Sequence, residues 1–153
     1  MTFDLRAALP QLIPKAIAWA EGQSSLAAQS GWPLDAMLVS VAESVGVLHP
    51  QRIRRVEVSR LPVPDDQELQ QAALATGLLG PSMIGLTLGY GVFVCRGHGT
   101  VRLFSHEFRH VYQYEQAGSI AAFLPVYLQQ IVTDGYSNAP LEMDARAHEQ
   151  SSV

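Results

Sequence analysis

Apolar residues recur at helical spacing along the first third of the chain. This spacing predicts an amphipathic helix that begins after Pro10 and ends before Gly31. The apolar positions on its inner side are Leu12, Ala16, Trp19 and Ala20. The stretch PLDAMLVSVAESVGV (33–47) predicts a second helix, with proline in its first turn and Gly46 at its end.

The middle of the chain changes from helical to strand-like patterning. Residues 53–61 alternate imperfectly between apolar and polar side chains, which predicts a strand ended by the prolines that follow. A third helix is predicted from a cap at Asp65 or Asp66 through Leu74, and it should stop near Gly77.

Residues 84–100 are rich in β-branched and aromatic side chains and are interrupted by glycine. This composition predicts a hairpin, with strands near 84–88 and 91–95 and a turn at residues 89–91. The glycine-flanked segment 96–99 then leads into the next helix.

Three helices are predicted after the hairpin. The first runs from Val101 to Ala117 and stops at Gly118. Ser119 can cap the next helix, in which Pro125 either introduces a kink or delays the start. The last is APLEMDARAHEQ (139–150), which has a proline in its first turn.

The order of these elements predicts an α+β fold, because the strands are segregated from the helices. The length of 153 residues fits one domain, residues 1–153. We expect N-terminal helices at 10–47 and a small antiparallel sheet with its hairpin at about 53–95. The helices that carry the chemistry follow at 101–150.

Composition narrows the classes of function. The net charge of -4 argues against a nucleic-acid partner, and the arginine-rich segment 52–60 is interpreted as the solvated side of a strand. The single cysteine, Cys95, excludes an intrachain disulfide and is typical of a reducing compartment. Charges and prolines interrupt residues 1–22, which argues against a signal peptide or a membrane span. We therefore expect a cytoplasmic protein with no membrane partner.

The candidate chemistry lies in SHEFRH (105–110). At about 100° per residue, His106 and His110 differ by only about 40° around a helix axis, so both imidazoles can reach one ion. Glu107 lies beside them and can take a proton from a metal-bound water without binding the metal. Two neutral imidazoles that leave a coordination position open are typical of catalytic zinc. The motif therefore predicts a Zn²⁺ site with Glu107 as general base.

The last predicted helix offers candidates for the third protein ligand that a catalytic zinc site needs. Glu142 can return beside the histidines if that helix packs back against theirs, and the small Ala145 favours a close approach. Asp144 is the alternative ligand, or else a hydrogen-bond partner of the ligands. The competing interpretation of this segment is a solvated, capped terminal helix. Cys95 is disfavoured as a ligand and is expected to be a core thiol.

At these residues the chain resembles the gluzincin-type zinc metallopeptidases, in particular their small bacterial members. The resemblance is carried by SHEFRHVYQYE and PLEMDARA and extends from about residue 84 to Ala147. It implies that His106 and His110 are zinc ligands and that Glu107 is the general base. It also implies that Glu142, from the Glu-x-x-Ala helix, is the third ligand.

The sequence departs from this family at one position. Members often have an aspartate after the alanine, where it hydrogen-bonds a ligating histidine, but this chain has Arg146. The partner of the histidine is therefore left open between Asp144 and Gln113.

A group that stabilises the developing oxyanion is also needed. Tyr136 is preferred, with His98, Tyr114 and His148 as alternatives, although His98 is equally well interpreted as a turn residue.

The sequence thus predicts a zinc metallopeptidase that binds an extended peptide along the hairpin near Val92–Val94. In so short a chain, the cleft is expected to be shallow or completed by a partner. The alternative is a zinc-stabilised peptide-binding or regulatory module without turnover. A third interpretation is a metal-free helical domain in which the histidines are core or capping residues.

Overall fold

A computed structural model of the protein describes residues 4–80 and 82–151. This part of the chain contains six α-helices and a small sheet, which confirms the predicted helix-rich α+β fold. The helices are α1 (Leu5–Ser30), α2 (Ala36–Ser44), α3 (Gln67–Thr76), α4 (Val101–Ala117), α5 (Ile120–Asp134) and α6 (Pro140–Ala147). The strands are β1 (Arg54–Val58), β2 (Gly85–Leu88) and β3 (Gly91–Cys95). None of the helices described is long and apolar enough to cross a membrane.

The sheet is mixed, so the predicted antiparallel sheet is wrong for one of its two strand pairs. The strand order is β1–β3–β2, with β2 and β3 forming the predicted hairpin and β1 running parallel to β3. A parallel pair needs a long crossover, and here α3 and β2 lie between the two strands in the chain. Alternation in a single strand carries no information about the direction of its neighbour.

This topology corrects the predicted peptide-binding edge. Val92 pairs with Arg55 on one side and with Thr87 on the other, so residues 92–94 belong to the central strand. Their backbone groups are already used in the sheet, and an added peptide cannot pair with them. Among the described strands, β2 instead has an edge without a neighbouring strand.

Several helix boundaries differ from the prediction. The first helix begins at Leu5, because the Asp4 side chain caps it by accepting a hydrogen bond from the Ala7 N–H. Pro10 therefore lies inside this helix rather than before it, together with Pro14. Pro125 likewise lies inside α5 and does not delay its start, since Ser119 caps the helix.

The sheet separates two hydrophobic cores, and β3 contributes to both. Phe93 packs with α1, α3 and α5, while Val92 and Val94 pack with α2 and one side of α4. Phe108 of α4 is fully buried in the second core, which fixes the rotation of this helix. Cys95 is half-buried at the end of β3 and packs against the first core, as expected of a core thiol.

Candidate metal centre

The centre is built on α4 and α6, which pack against each other. Thr100 caps α4 at its start, and Gly118, with a φ of 99°, ends it in the left-handed conformation. Helical spacing then places His106 and His110 on one face. Ala145 of α6 is completely buried, and its small side chain allows the two helices to approach closely.

His106, His110 and Glu142 come together as predicted, with their ligand atoms all within 4.8 Å of one another. Nε2 of His106 is 3.2 Å from Oε1 of Glu142, and Nε2 of His110 is 3.0 Å from Oε2. Two atoms bound at about 2.1 Å to a tetrahedral zinc would lie about 3.4 Å apart, close to these separations. The group is largely buried, and it could hold a metal ion.

The other ring nitrogen of each histidine also has a partner. Nδ1 of His106 is 2.8 Å from Oε2 of Glu149, whose other oxygen accepts a hydrogen bond from Arg102. Nδ1 of His110 is 2.8 Å from Oε1 of Gln113. Such partners orient ligating imidazoles and determine which nitrogen carries the proton.

Gln113 can only be an acceptor toward His110. Its amide NH₂ donates to the Leu141 carbonyl and to Oδ2 of Asp144, both at 2.9 Å, so Oε1 faces the imidazole. Nδ1 of His110 therefore carries a proton, and Nε2 is the nitrogen available to a metal. Asp144 lies behind Gln113 and also pairs with Arg109 at 2.8 Å. Among the described residues it supports the ligands and is not one of the metal-binding group.

Each histidine consequently lies between two hydrogen-bond acceptors. For His106 these are the carboxylates of Glu149 and Glu142, and for His110 they are the Gln113 oxygen and Glu142. Without a cation, both imidazoles must be doubly protonated to satisfy these contacts, although their ring centroids are only 5.0 Å apart. A divalent cation between the Nε2 atoms and Glu142 removes that repulsion, so the donor set fits a metal.

The charges of the cluster shift the pKa values of its members. Burial alone would lower the pKa of His110, but its hydrogen bond to Glu142 and the negative charge of that residue raise the pKa to about 9. Burial would likewise raise the pKa of Glu142, but hydrogen bonds from His106 and His110 hold it well below its usual range. In the protein without metal, these groups form a buried ion pair.

Glu107 faces the same region without joining the ligands. Its side chain is buried, and Oε1 accepts a 2.8 Å hydrogen bond from Oγ1 of Thr87. Gly85 of β2 leaves the space that this carboxylate occupies, since a Cβ at residue 85 would lie 3.0 Å from Oε2 of Glu107. The edge strand therefore positions the predicted general base.

Two tyrosines lie near the cluster. Tyr127 donates a 2.6 Å hydrogen bond to Oε2 of Glu142, a contact between α5 and α6 that no local sequence pattern indicates. Tyr136 lines the cavity beside Glu107 and Glu142, and burial, followed by these negative charges, raises its pKa above the usual range. Both phenols therefore keep their protons at neutral pH.

The other candidates for oxyanion stabilisation are engaged elsewhere. His98 is exposed in the turn between β3 and α4 and does not line the cavity. The Tyr114 hydroxyl donates to the Thr87 carbonyl at 3.3 Å. Nδ1 of His148 contacts the carbonyl oxygen of Asp144 at 2.8 Å.

A pocket of about 130 Å³, which is partly open to solvent, ends at this cluster, where it is lined by Glu107, His110 and Glu142. Its remaining walls come mainly from α1, α3, β2 and α5. Of the two expected alternatives, the pocket is deeper than a shallow cleft, and completion of the site by a partner stays a prediction. The first N-terminal helix, α1, which carries no recognisable motif, provides one of its walls.

No protein-family model matches this chain, and comparisons with curated proteins and with solved structures likewise find no match. The resemblance to gluzincins stays a prediction from the two motifs around His106 and Glu142.

Proposed function

We propose that this protein is a zinc-dependent, metallopeptidase-like hydrolase of the gluzincin type. The observation that carries the proposal is the placement of His106 and His110 between paired acceptors, which a divalent cation satisfies. Two imidazoles and one carboxylate are a donor set typical of catalytic zinc, which keeps a further position for substrate or water. When bound, zinc supplies a Lewis acid that polarises a carbonyl and lowers the pKa of water.

The protein groups have separate roles in the proposed reaction. Glu107 accepts the proton of the attacking water and later delivers it to the leaving amine. Thr87 holds that carboxylate in position through its 2.8 Å hydrogen bond. Tyr136 donates a hydrogen bond to the oxyanion as it develops, since its phenol stays protonated beside the cluster.

The peptide backbone of the substrate lies beside β2 in this proposal. This strand has an edge without a neighbouring strand, and all four of its residues line the cavity that reaches Glu107. Edge strands bind extended peptides through their free backbone groups, which in β2 do not include the Thr87 carbonyl, because it accepts from the Tyr114 hydroxyl. The proposed location replaces the one near Val92–Val94.

The test is hydrolysis of a mixture of fluorescence-quenched peptides by zinc-loaded protein. Glu107→Gln should retain zinc and lose at least about a hundredfold in rate, because general-base catalysis contributes on that order. Glu43→Gln, on the exposed surface of α2, is the matched control and should behave as wild type. Equal rates for wild type and Glu107→Gln would contradict the proposed role.

The second candidate is a zinc-stabilised binding module without turnover. It is favoured by the burial of Glu142, whose side chain is only 2% exposed. In that case zinc would bind and peptides would be retained intact, and Glu107→Gln would change neither property.

A further inference from the structure

Apart from the end that reaches the metal centre, the cavity is lined almost entirely by apolar side chains. Six residues represent its apolar walls: Leu12, Ala16, Ala72, Leu86, Phe123 and Leu124. The ionisable groups that line it, namely two glutamates, one histidine and three tyrosines, include both the proposed base and two of the proposed metal ligands. No lysine, arginine or aspartate is among its lining residues.

An apolar cavity of this kind does not hold ordered water well, because water needs several polar partners. Protein interiors are usually close-packed, so a partly open pocket of about 130 Å³ with apolar walls leaves apolar surface that a ligand can cover. Apolar cavities of roughly 150 Å³ accept a benzene molecule. The size and chemistry of this cavity therefore suit one aromatic ring or a branched aliphatic group.

We propose that the cavity is the specificity pocket of the hydrolase and receives one large, uncharged apolar side chain, such as that of phenylalanine or leucine, adjacent to the scissile carbonyl. This inference rests on the proposed function, since it assigns a substrate class to the same site. The cavity ends at Glu107 and His110, so a side chain inserted there brings its own backbone carbonyl to the base and the metal ligands. A charged side chain would lose its hydration without gaining a partner.

The test compares three N-acetyl amino-acid hydroxamates, those of phenylalanine, alanine and lysine, on zinc-loaded protein by calorimetry. The phenylalanine compound should bind at least about tenfold more tightly than the alanine compound, since even one buried methylene can give such a factor. The lysine compound should bind no better than the alanine compound. Zinc content is measured first on the same samples.

Variants that fill the cavity test whether the preference for phenylalanine depends on it. Ala72→Leu adds a branched side chain to the wall from α3 and should abolish the preference for phenylalanine while zinc is retained. Ala16→Leu tests the wall from α1 and replaces the first variant if that one fails to fold. Ala121→Leu, at an exposed position of α5 that does not line the cavity, should keep the preference.

A measurement without metal tests the cavity itself. Toluene added to chelator-treated protein should shift the methyl NMR signals of Leu12 and Leu124, and Ala72→Leu should suppress these shifts. Equal binding of the three hydroxamates to a zinc-loaded protein, or absence of the toluene shifts, would refute the proposed specificity pocket. Neither result would contradict the proposed hydrolase function. Failure of the wild type to bind zinc would overturn the proposed function, and the substrate assignment with it.

Discussion

Glu142→Gln should destabilise the metal-free protein in a way that depends on pH. The substitution preserves side-chain shape but removes the charge that faces His106 and His110 at 3.2 and 3.0 Å. The pKa of His110 is raised from 6.5 to about 9, and a difference of this size corresponds to roughly 3 kcal/mol of unfolding free energy. Both residues are buried, so solvent screens the interaction little.

The sign of the effect follows from the direction of each shift. The raised pKa of His110 contributes stability that is fully present below pH 6.5 and is lost as the pH rises through about 9. The lowered pKa of Glu142 contributes stability present above 4.5, which is lost on acidification. At pH 6 the ion pair is intact, so the variant should lose roughly 3 kcal/mol. At pH 10 the neutral His110 keeps its one proton on Nδ1, so Nε2 no longer donates to Glu142, and the loss should fall to about 1 kcal/mol or less.

The assay is urea unfolding of chelator-treated protein, followed by circular dichroism at both pH values. Glu43→Gln is again the control and should match wild type at each pH. A destabilisation by Glu142→Gln that is equal at pH 6 and pH 10, or larger at pH 10, would refute the ion-pair reasoning.

Three further predictions concern the environment of the ligands. Gln113→Leu removes the acceptor of the His110 Nδ1 proton and should weaken zinc affinity about 10- to 100-fold, measured by competition with a chromophoric chelator. Gly85→Ala should lower the hydrolysis rate while zinc is retained, because the added Cβ would press on Glu107. The control is Gly22→Ala, whose Cβ would meet no atom within 4 Å, and it should leave the hydrolysis rate unchanged. Zinc affinity of the wild type should rise between pH 7 and pH 9, by about tenfold per unit for each proton released, because His110 is protonated in the metal-free protein; a flat profile over this range would contradict the raised pKa.

The elements that the sequence predicted best are those with local signals at both ends. The bounds of α4 agree with the prediction, because helical periodicity and Gly118 define them within the segment itself. The parallel pairing of β1 was missed, since it depends on a crossover that no local pattern encodes. Pro10 was taken as a boundary, although the cap at Asp4 and the buried Leu9 extend the helix to its N-terminal side.

In the candidate site, too, the features with local sequence signals were predicted and those that depend on tertiary packing were not. The histidine pair could be inferred because helical spacing places both residues on one face. Glu142 could be inferred because the single helix α5 between α4 and α6 allows α6 to pack back against α4. The contact of Glu149 with His106 was not predicted, because it depends on how the chain continues after α6 ends. The cavity could not be predicted at all, since its walls are apolar positions that any core would contain.

The most direct test of the metal centre is elemental analysis of protein purified without a histidine tag, with His110→Ala and Glu142→Ala analysed beside the wild type. We expect about one zinc per chain in the wild type and a clear loss of zinc in both variants. No zinc in the wild type, even after zinc is supplied, would contradict the proposed metal centre. His106, His110 and Glu142 would then be the buried ion-pair network of a metal-free helical domain.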